Sequence, residues 1–157
     1  MLKRPAHPVL GIDDQARAAA TDLVDTMEAH PHCVGLAAPQ IGIGLRIIVV
    51  DVSGHPSASA SHGRLVVVNP RVVEVAGSEI AREGCQSLPD ITARIRRAKR
   101  IRFEGILPSG EAFHSISLGF EARALQHEID HLDGVLILDR VASPKEIFRR
   151  RPELTGD

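Results

Sequence analysis

The sequence predicts an α+β fold, and three observations carry that expectation. Helical periodicity is clear in only two segments, residues 13–30 and 118–132, which lie far apart in the chain. The β-branched and apolar runs are short and numerous. Gly, Pro and Asn punctuate them at close intervals, as the turns between short strands require.

The elements follow in order. Asp13 or Asp14 can cap the first helix, and Ala16, Ala19, Ala20, Leu23, Val24 and Met27 recur at helical spacing before Pro31 stops it. A small-residue loop, Gly35 to Gly42, leads to Ile47–Val52, a run that reads as a strand buried on both faces. Residues 53–63 are rich in Gly, Ser, Ala and His and read as a surface hairpin loop, with His55 and His62 as solvated side chains rather than metal ligands. Leu65–Asn69 and Val72–Val75 are expected as separate strands broken by Asn69-Pro70. Lys99–Phe103 and Ala112–Ile116 form a further pair around a Pro108-Ser109-Gly110 turn. The second helix offers Phe120, Ala124, Leu125, Ile129 and Leu132 for packing and ends at Gly134, with Val135–Leu138 as a last short apolar segment.

With 157 residues, 1–157 is expected to be a single domain large enough to bury a core without disulfides. Apolar residues are 43%, charged residues 25% and the net charge −1, which argues against wholesale disorder and against a general field for nucleic acid. Trp and Tyr are absent, so stacking platforms for single strands are not expected either. No apolar run is long enough for a membrane span, and MLKRPAHPVLG lacks the apolar stretch of a secretory signal. The expected location is the cytoplasm, where the two cysteines, Cys33 and Cys85, would be free, catalytic or metal-bound.

The chemistry concentrates in His127-Glu128-Ile129-Asp130-His131. Histidines at i and i+4 share a helical face and can reach one metal ion, while Glu128 beside the first can take a proton from water at that ion. A catalytic site of this type needs a third protein ligand. The metzincin pattern would place His at position 137, which is Ile137. A gluzincin would need Glu146 or Glu153, both in a charged tail unlike a ligand helix. Cys85, in Glu83-Gly84-Cys85-Gln86-Ser87, offers a thiolate. Alone it reads as a small buried hydrophobe; beside a two-histidine helix lacking a ligand, it reads as the third donor.

Together, GLAAPQIG at 35–42, EGCQS at 83–87 and QHEIDH at 126–131 resemble the three signature motifs of the peptide deformylase family, in matching order and spacing. Arg97-Ala98 and Ala122-Arg123 are similar too. The resemblance implies short, mostly antiparallel strands around a central metal-binding helix, with a catalytic core at about 9–142 and a short basic tail over 143–157. It implies metal-dependent hydrolysis of the formyl group of N-formylmethionyl nascent peptides, releasing formate. One divalent ion, Fe(II) physiologically with Zn, Ni or Co as substitutes, would be held by Cys85, His127 and His131. Glu128 would move the proton from water to the departing amine. Gln40 and the backbone N–H of Gln86 would hold the oxyanion, and Val34, Gly35 and Leu36 would pair with the substrate as an added strand. Glu83 and Arg97 resemble the family's ion pair behind the ligands, and Asp130 would support the ligand helix similarly.

Several features depart from that pattern. Cys33 stands where the first Gly of Gly-x-Gly-Leu-Ala-Ala is usual, and Gln86 replaces a commonly apolar residue. Cys33 would border the metal site, close enough for oxidation to link it to Cys85 and eject the metal. The chain also opens well inside typical members and lacks their long final helix, so an edge strand or a ribosome-docking surface is expected to be missing. Arg94, Arg96, Arg97, Lys99, Arg100 and Arg102 read as the solvated face of a strand pair rather than as a contact for ribosomal RNA. A zincin-like peptidase and a non-catalytic deformylase-like metal-binding paralogue are the rival readings. Intact Glu128 and Gln40 argue against the latter.

Overall fold

The computed structural model describes residues 2–150. Helix α1 (Asp14–Glu28) begins where the Asp13 carboxylate accepts the Ala16 N–H at 2.8 Å and buries Ala16, Ala19, Ala20, Leu23 and Met27. It stops short of residue 30, and Val24 is only half buried. Strand β1 (Gly35–Ala37) runs into a 3-10 turn (Ala38–Ile41), so the segment expected as a loop contains a strand. Strand β2 (Ile47–Val50) is buried at every position, as its β-branched run requires.

Strand β3 (Leu65–Ala76) corrects the expectation of two strands, because it continues through Asn69-Pro70. Asn69 adopts φ 51°, and the pairing register shifts between Val68 and Arg71. Asn tolerates the left-handed region, and a bulge removes the need for the N–H that Pro lacks. The Asn69 side chain pins the N-terminal segment, accepting from Val9 N at 2.9 Å and donating to Val9 O at 2.8 Å.

Strands β4 (Glu79–Cys85) and β5 (Leu88–Arg97) form the hairpin missed in the sequence. Their period of two is real, but charged residues occupy inward positions: Glu83 and Cys85 are buried on β4, and Ala93, Ile95 and Arg97 on β5. Strands β6 (Arg100–Ile106) and β7 (Ala112–Leu118) match the expected pair. Helix α2 (Gly119–Leu132) follows, and Gly134 at φ 74° ends it where a Cβ would collide with the Lys3 carbonyl. The apolar segment 135–138 leads into a single helical turn, α3 (Ile137–Arg140). The stretch read as a charged tail supplies β8 (Ile147–Arg149), which pairs with β5, and the Arg82 guanidinium lies 4.0 Å over the Phe148 ring.

All strand pairs are antiparallel, in one sheet of order β1-β2-β3-β6-β7 and another of order β4-β5-β8. Helix α2 lies between them. Ala122, Leu125, Ile129 and Leu132 pack into the core with Ile48, Val50, Val67 and Phe103 of the five-stranded sheet. A second apolar cluster joins α1 to β1 and β2. Around the three-stranded sheet the buried apolar cluster is small, with Cys85, Ala93, Ile95 and Ile137. Among the described residues, no helix is long and apolar enough to cross a membrane.

Candidate active site

The polar side of α2 meets the end of β4. Two residues beyond Glu83 on β4, Cys85 points to the same buried face, and the pairing register with β5 shifts between Gly84 and Cys85. Its Sγ lies 3.2 Å from His131 Nε2, and ligand atoms of Cys85, His127 and His131 all fall within 4.8 Å of one another. The two imidazoles are edge to face, with centroids 5.0 Å apart. One sulfur and two nitrogens converging at this distance suit a divalent ion with a position left for water. Burial by itself would raise the Cys85 thiol, but hydrogen bonds and charge from His127 and His131 outweigh it and bring it down to about 5. Those contacts favour the thiolate of Cys85, the form that binds metal.

Glu83 sets the ring of His127. Its Oε1 lies 2.9 Å from His127 Nδ1, so Nδ1 donates to the carboxylate and Nε2 turns toward Cys85. Burial lowers His127, yet the bonds to Cys85 and Glu83 raise it to about 10, so a metal ion held there would displace the Nε2 proton. Arg97 grips the same carboxylate through both oxygens at 2.9 and 3.0 Å. Arg123 adds a contact of 2.5 Å. Burial works against ionisation of Glu83, yet the bonds from His127 and Arg97 hold it down to about 2. Arg97 also reaches Asp130 at 2.5 Å, and Arg140 closes on Asp130 from α3. The basic run is thus only partly a solvated face, since Arg97 is buried. In the sequence Arg123 stands out only within the similar Ala122-Arg123 pair, with no role, and Arg140 not at all. Arg123 lies one turn before His127 on the same face and donates to the carbonyls of Ile95 and Glu79 at 3.0 Å each, a relation visible from helical spacing alone.

Glu128 is buried against β1. A Cβ at position 35 would lie 2.9 Å from Glu128 Oε1, so Gly35 makes the room this carboxylate occupies. Burial raises its pKa, and Oε2 is buried with no hydrogen-bond partner, as is His131 Nδ1. An unpartnered buried carboxylate oxygen beside three metal-type donors fits a group that takes up a proton during reaction.

These groups open into a cavity of about 370 Å³. Gln40 enters from the turn after β1: Ala37 N donates to its Oε1 at 2.9 Å, while its Nε2 donates to Ser87 Oγ at 3.0 Å and lies 3.8 Å from Cys85 Sγ. Gln86 lines the cavity from the exposed turn between β4 and β5. Val34 and Gly35 line it as well. Leu36 instead buries its side chain in the α1 cluster. Among the described residues β1 is an edge strand. On its outer side the Ala37 N–H is taken by Gln40 and the Gly35 carbonyl by Cys33 Sγ, which leaves the Gly35 N–H without a strand partner.

The two cysteines have different partners. Cys33 Sγ donates to the Gly35 carbonyl at 3.2 Å, and burial pushes its thiol up; no disulfide joins it to Cys85. The loop histidines are not free side chains. His55 stacks on Phe120 with centroids 4.2 Å apart at the cavity wall, and His62 bonds to Glu121 and Ser115.

The chain matches the polypeptide deformylase family over residues 1–146. A peptide deformylase of Dictyoglomus thermophilum is 42% identical over 140 residues, covering 89% of this chain and 86% of the relative. The crystal structure of the Thermotoga maritima peptide deformylase superposes with TM-score 0.80 at 39% identity, covering 90% of this chain and 91% of that one. A Met-Ala-Ser-bound peptide deformylase from Acinetobacter baumannii gives TM-score 0.80 at 31% identity, with 89% and 91% covered. Signature motifs, buried donor set and shared fold agree, and this chain belongs to the polypeptide deformylase family, hydrolases that remove the formyl group from N-formylmethionyl peptides.

Proposed function

We propose that this protein deformylates nascent peptides through Cys85, His127 and His131 as metal ligands, Glu128 as the proton carrier, and Gln40 with the Gln86 backbone N–H as the oxyanion donors. The observation that carries the reading is the convergence of three metal-type donors beside the unpartnered Oε2 of Glu128. Fe(II) is the physiological ion in this reading, with Zn, Ni and Co as competent substitutes, because one thiolate and two imidazoles suit all four. When bound, the ion supplies Lewis acidity toward water and toward the formyl oxygen.

The chain's own groups do the rest. Val34, Gly35 and Leu36, at and just before the outer strand β1, align the peptide as an added strand. Glu128 takes the proton of the attacking water and returns it to the amine as the C–N bond breaks, which releases formate. A carboxyl whose burial favours its protonated form is suited to both halves of that transfer. Gln40 is already oriented, since Ala37 and Ser87 fix both ends of its amide, so it donates without reorganising. Glu83, Arg97 and Asp130 hold the ligand geometry from behind. We place this activity in the cytoplasm, in one catalytic unit over about 9–142, with the ribosome near its exit as the source of substrate.

The test is formate release from formyl-Met-Ala-Ser by anaerobically reconstituted protein, chosen because the A. baumannii relative binds Met-Ala-Ser. Release with Fe(II) that collapses in Glu128→Ala is the expected result. Retained metal without release under Fe(II), Ni(II), Co(II) or Zn(II) would leave a deformylase-like binding protein instead. Cleavage of unformylated peptides would favour a peptidase.

A further inference from the structure

On the far side of α2's first turn lies a second ordered set of reactive side chains. His62, from the loop between β2 and β3, places Nδ1 2.6 Å from Glu121 Oε1 and Nε2 2.7 Å from Ser115 Oγ. Glu121 is only 2% exposed. Its Oε1 also accepts from Ser117 Oγ at 2.7 Å, and its Oε2 accepts the His62 backbone N–H at 2.6 Å. A carboxylate can only accept, so Nδ1 carries a proton; in the neutral ring Nε2 is then the acceptor for the Ser115 hydroxyl. Serine, histidine and buried carboxylate therefore stand in line, contributed by a strand, a loop and a helix. None of the three lines the cavity that holds Cys85.

We propose that Ser115, His62 and Glu121 form a second, metal-independent hydrolytic centre that acts on small carboxylic esters through an acyl-serine. The hydrogen-bond order is that of an activated nucleophile: hydroxyl to base, base to orienting carboxylate. Clamping the loop would need only the two bonds from His62 to Glu121. The hydroxyl on the bare ring nitrogen is what a nucleophile and its base require. The Phe103 and Phe113 rings lie roughly perpendicular to His62 at 6.0 and 6.3 Å. Phe103 is fully buried and backs the imidazole, while the half-buried Phe113 is the apolar neighbour open to an acyl group. Among the described residues β7, which carries Ser115, is an edge strand, and the N–H groups of His114 and Ile116 beside it face the outer side as the donors we assign to a developing oxyanion. Ser115 Oγ attacks the ester carbonyl while its proton passes to His62 Nε2. The alkoxide leaves with that proton. Water, deprotonated by His62, then cleaves the acyl-serine to the carboxylic acid and restores Ser115.

The experiment uses the metal-loaded full chain with two probes, a fluorophosphonate mapped by peptide mass spectrometry and p-nitrophenyl acetate. The expected result is a single phosphonylated serine at Ser115 and ester turnover that survives chelation. Both should vanish in Ser115→Ala and fall by about 10²–10⁴-fold in His62→Gln. Formate release from formyl-Met-Ala-Ser should persist in both variants, which shows that they fold. An adduct elsewhere, no adduct, or labelling indifferent to His62→Gln overturns the proposal whatever the deformylase assay shows.

Discussion

Toward the five-stranded sheet, α2 presents Ala122, Leu125, Ile129 and Leu132; toward the three-stranded sheet it presents Arg123, His127 and Asp130. The first contact is apolar and non-directional, and it holds through burial alone. The second is a buried network in which Glu83, Arg97 and Asp130 are each less than a tenth exposed. Such networks add little net stability over apolar packing, yet they are costly to break at one member. What the second face supplies is direction. Apolar packing would leave the His127 ring free to rotate, whereas the Glu83 bond fixes which nitrogen faces the space shared with Cys85 and His131. One side of the helix builds the fold, and the other aims the chemistry.

The largest effect should follow from Glu83→Ala, which leaves Arg97 and Arg123 short of their shared counter-ion. We expect a loss of about 3–5 kcal/mol in stability and about 10–100-fold in metal affinity. Denaturation followed by far-UV circular dichroism reads the first, because the chain has no Trp or Tyr to report by fluorescence. Metal-buffered titration reads the second. On the apolar face, Leu125→Ala should cost about 2–5 kcal/mol and leave metal affinity unchanged. If both variants weaken the ion equally, the division of labour between the faces is wrong.

Gly35→Ala tests the same division at β1. A Cβ there meets Glu128 Oε1 at 2.9 Å, so displacement of the carboxylate should lower formate release by about 10²-fold while metal content stays at wild-type levels. Acid sensitivity is the mildest handle. Glu83 is held down to about 2 from its ordinary 4.5, so its stabilising contribution is complete above about pH 4.5 and is lost as pH falls toward 2. In metal-free protein, Glu83→Gln should flatten the acid limb of the stability profile relative to wild type. An unchanged limb would assign acid sensitivity to other carboxylates.

Legibility in the sequence followed the same division. Helices α1 and α2 and strand β2 lie where apolar periodicity places them, because burial on one face writes itself into residue type. The β4–β5 hairpin escaped because its inward residues include Glu83 and Arg97, so alternation of apolar and polar residues vanished although the strand geometry did not. At β3 the error ran the other way. Asn69-Pro70 has the composition of a break but serves as a bulge, with Asn69 bonded to Val9 some sixty residues earlier in the chain.

By itself the sequence determined the donor types, their motif spacing and the helix that carries two of them, since i and i+4 on one helix is a local relation. It also pointed to Gln40, Cys85 and Glu128, through motifs that each fit within a few consecutive residues. Only the tertiary structure decided that Arg123 and Arg140 join the network behind the ligands, that β8 completes the smaller sheet, and that His62 lies between Ser115 and Glu121. Those contacts join residues from 10 to 59 positions apart. Charged and hydroxyl side chains read as solvated until a fold buries them, and the pairing that makes burial tolerable is fixed by chain topology, not by local pattern.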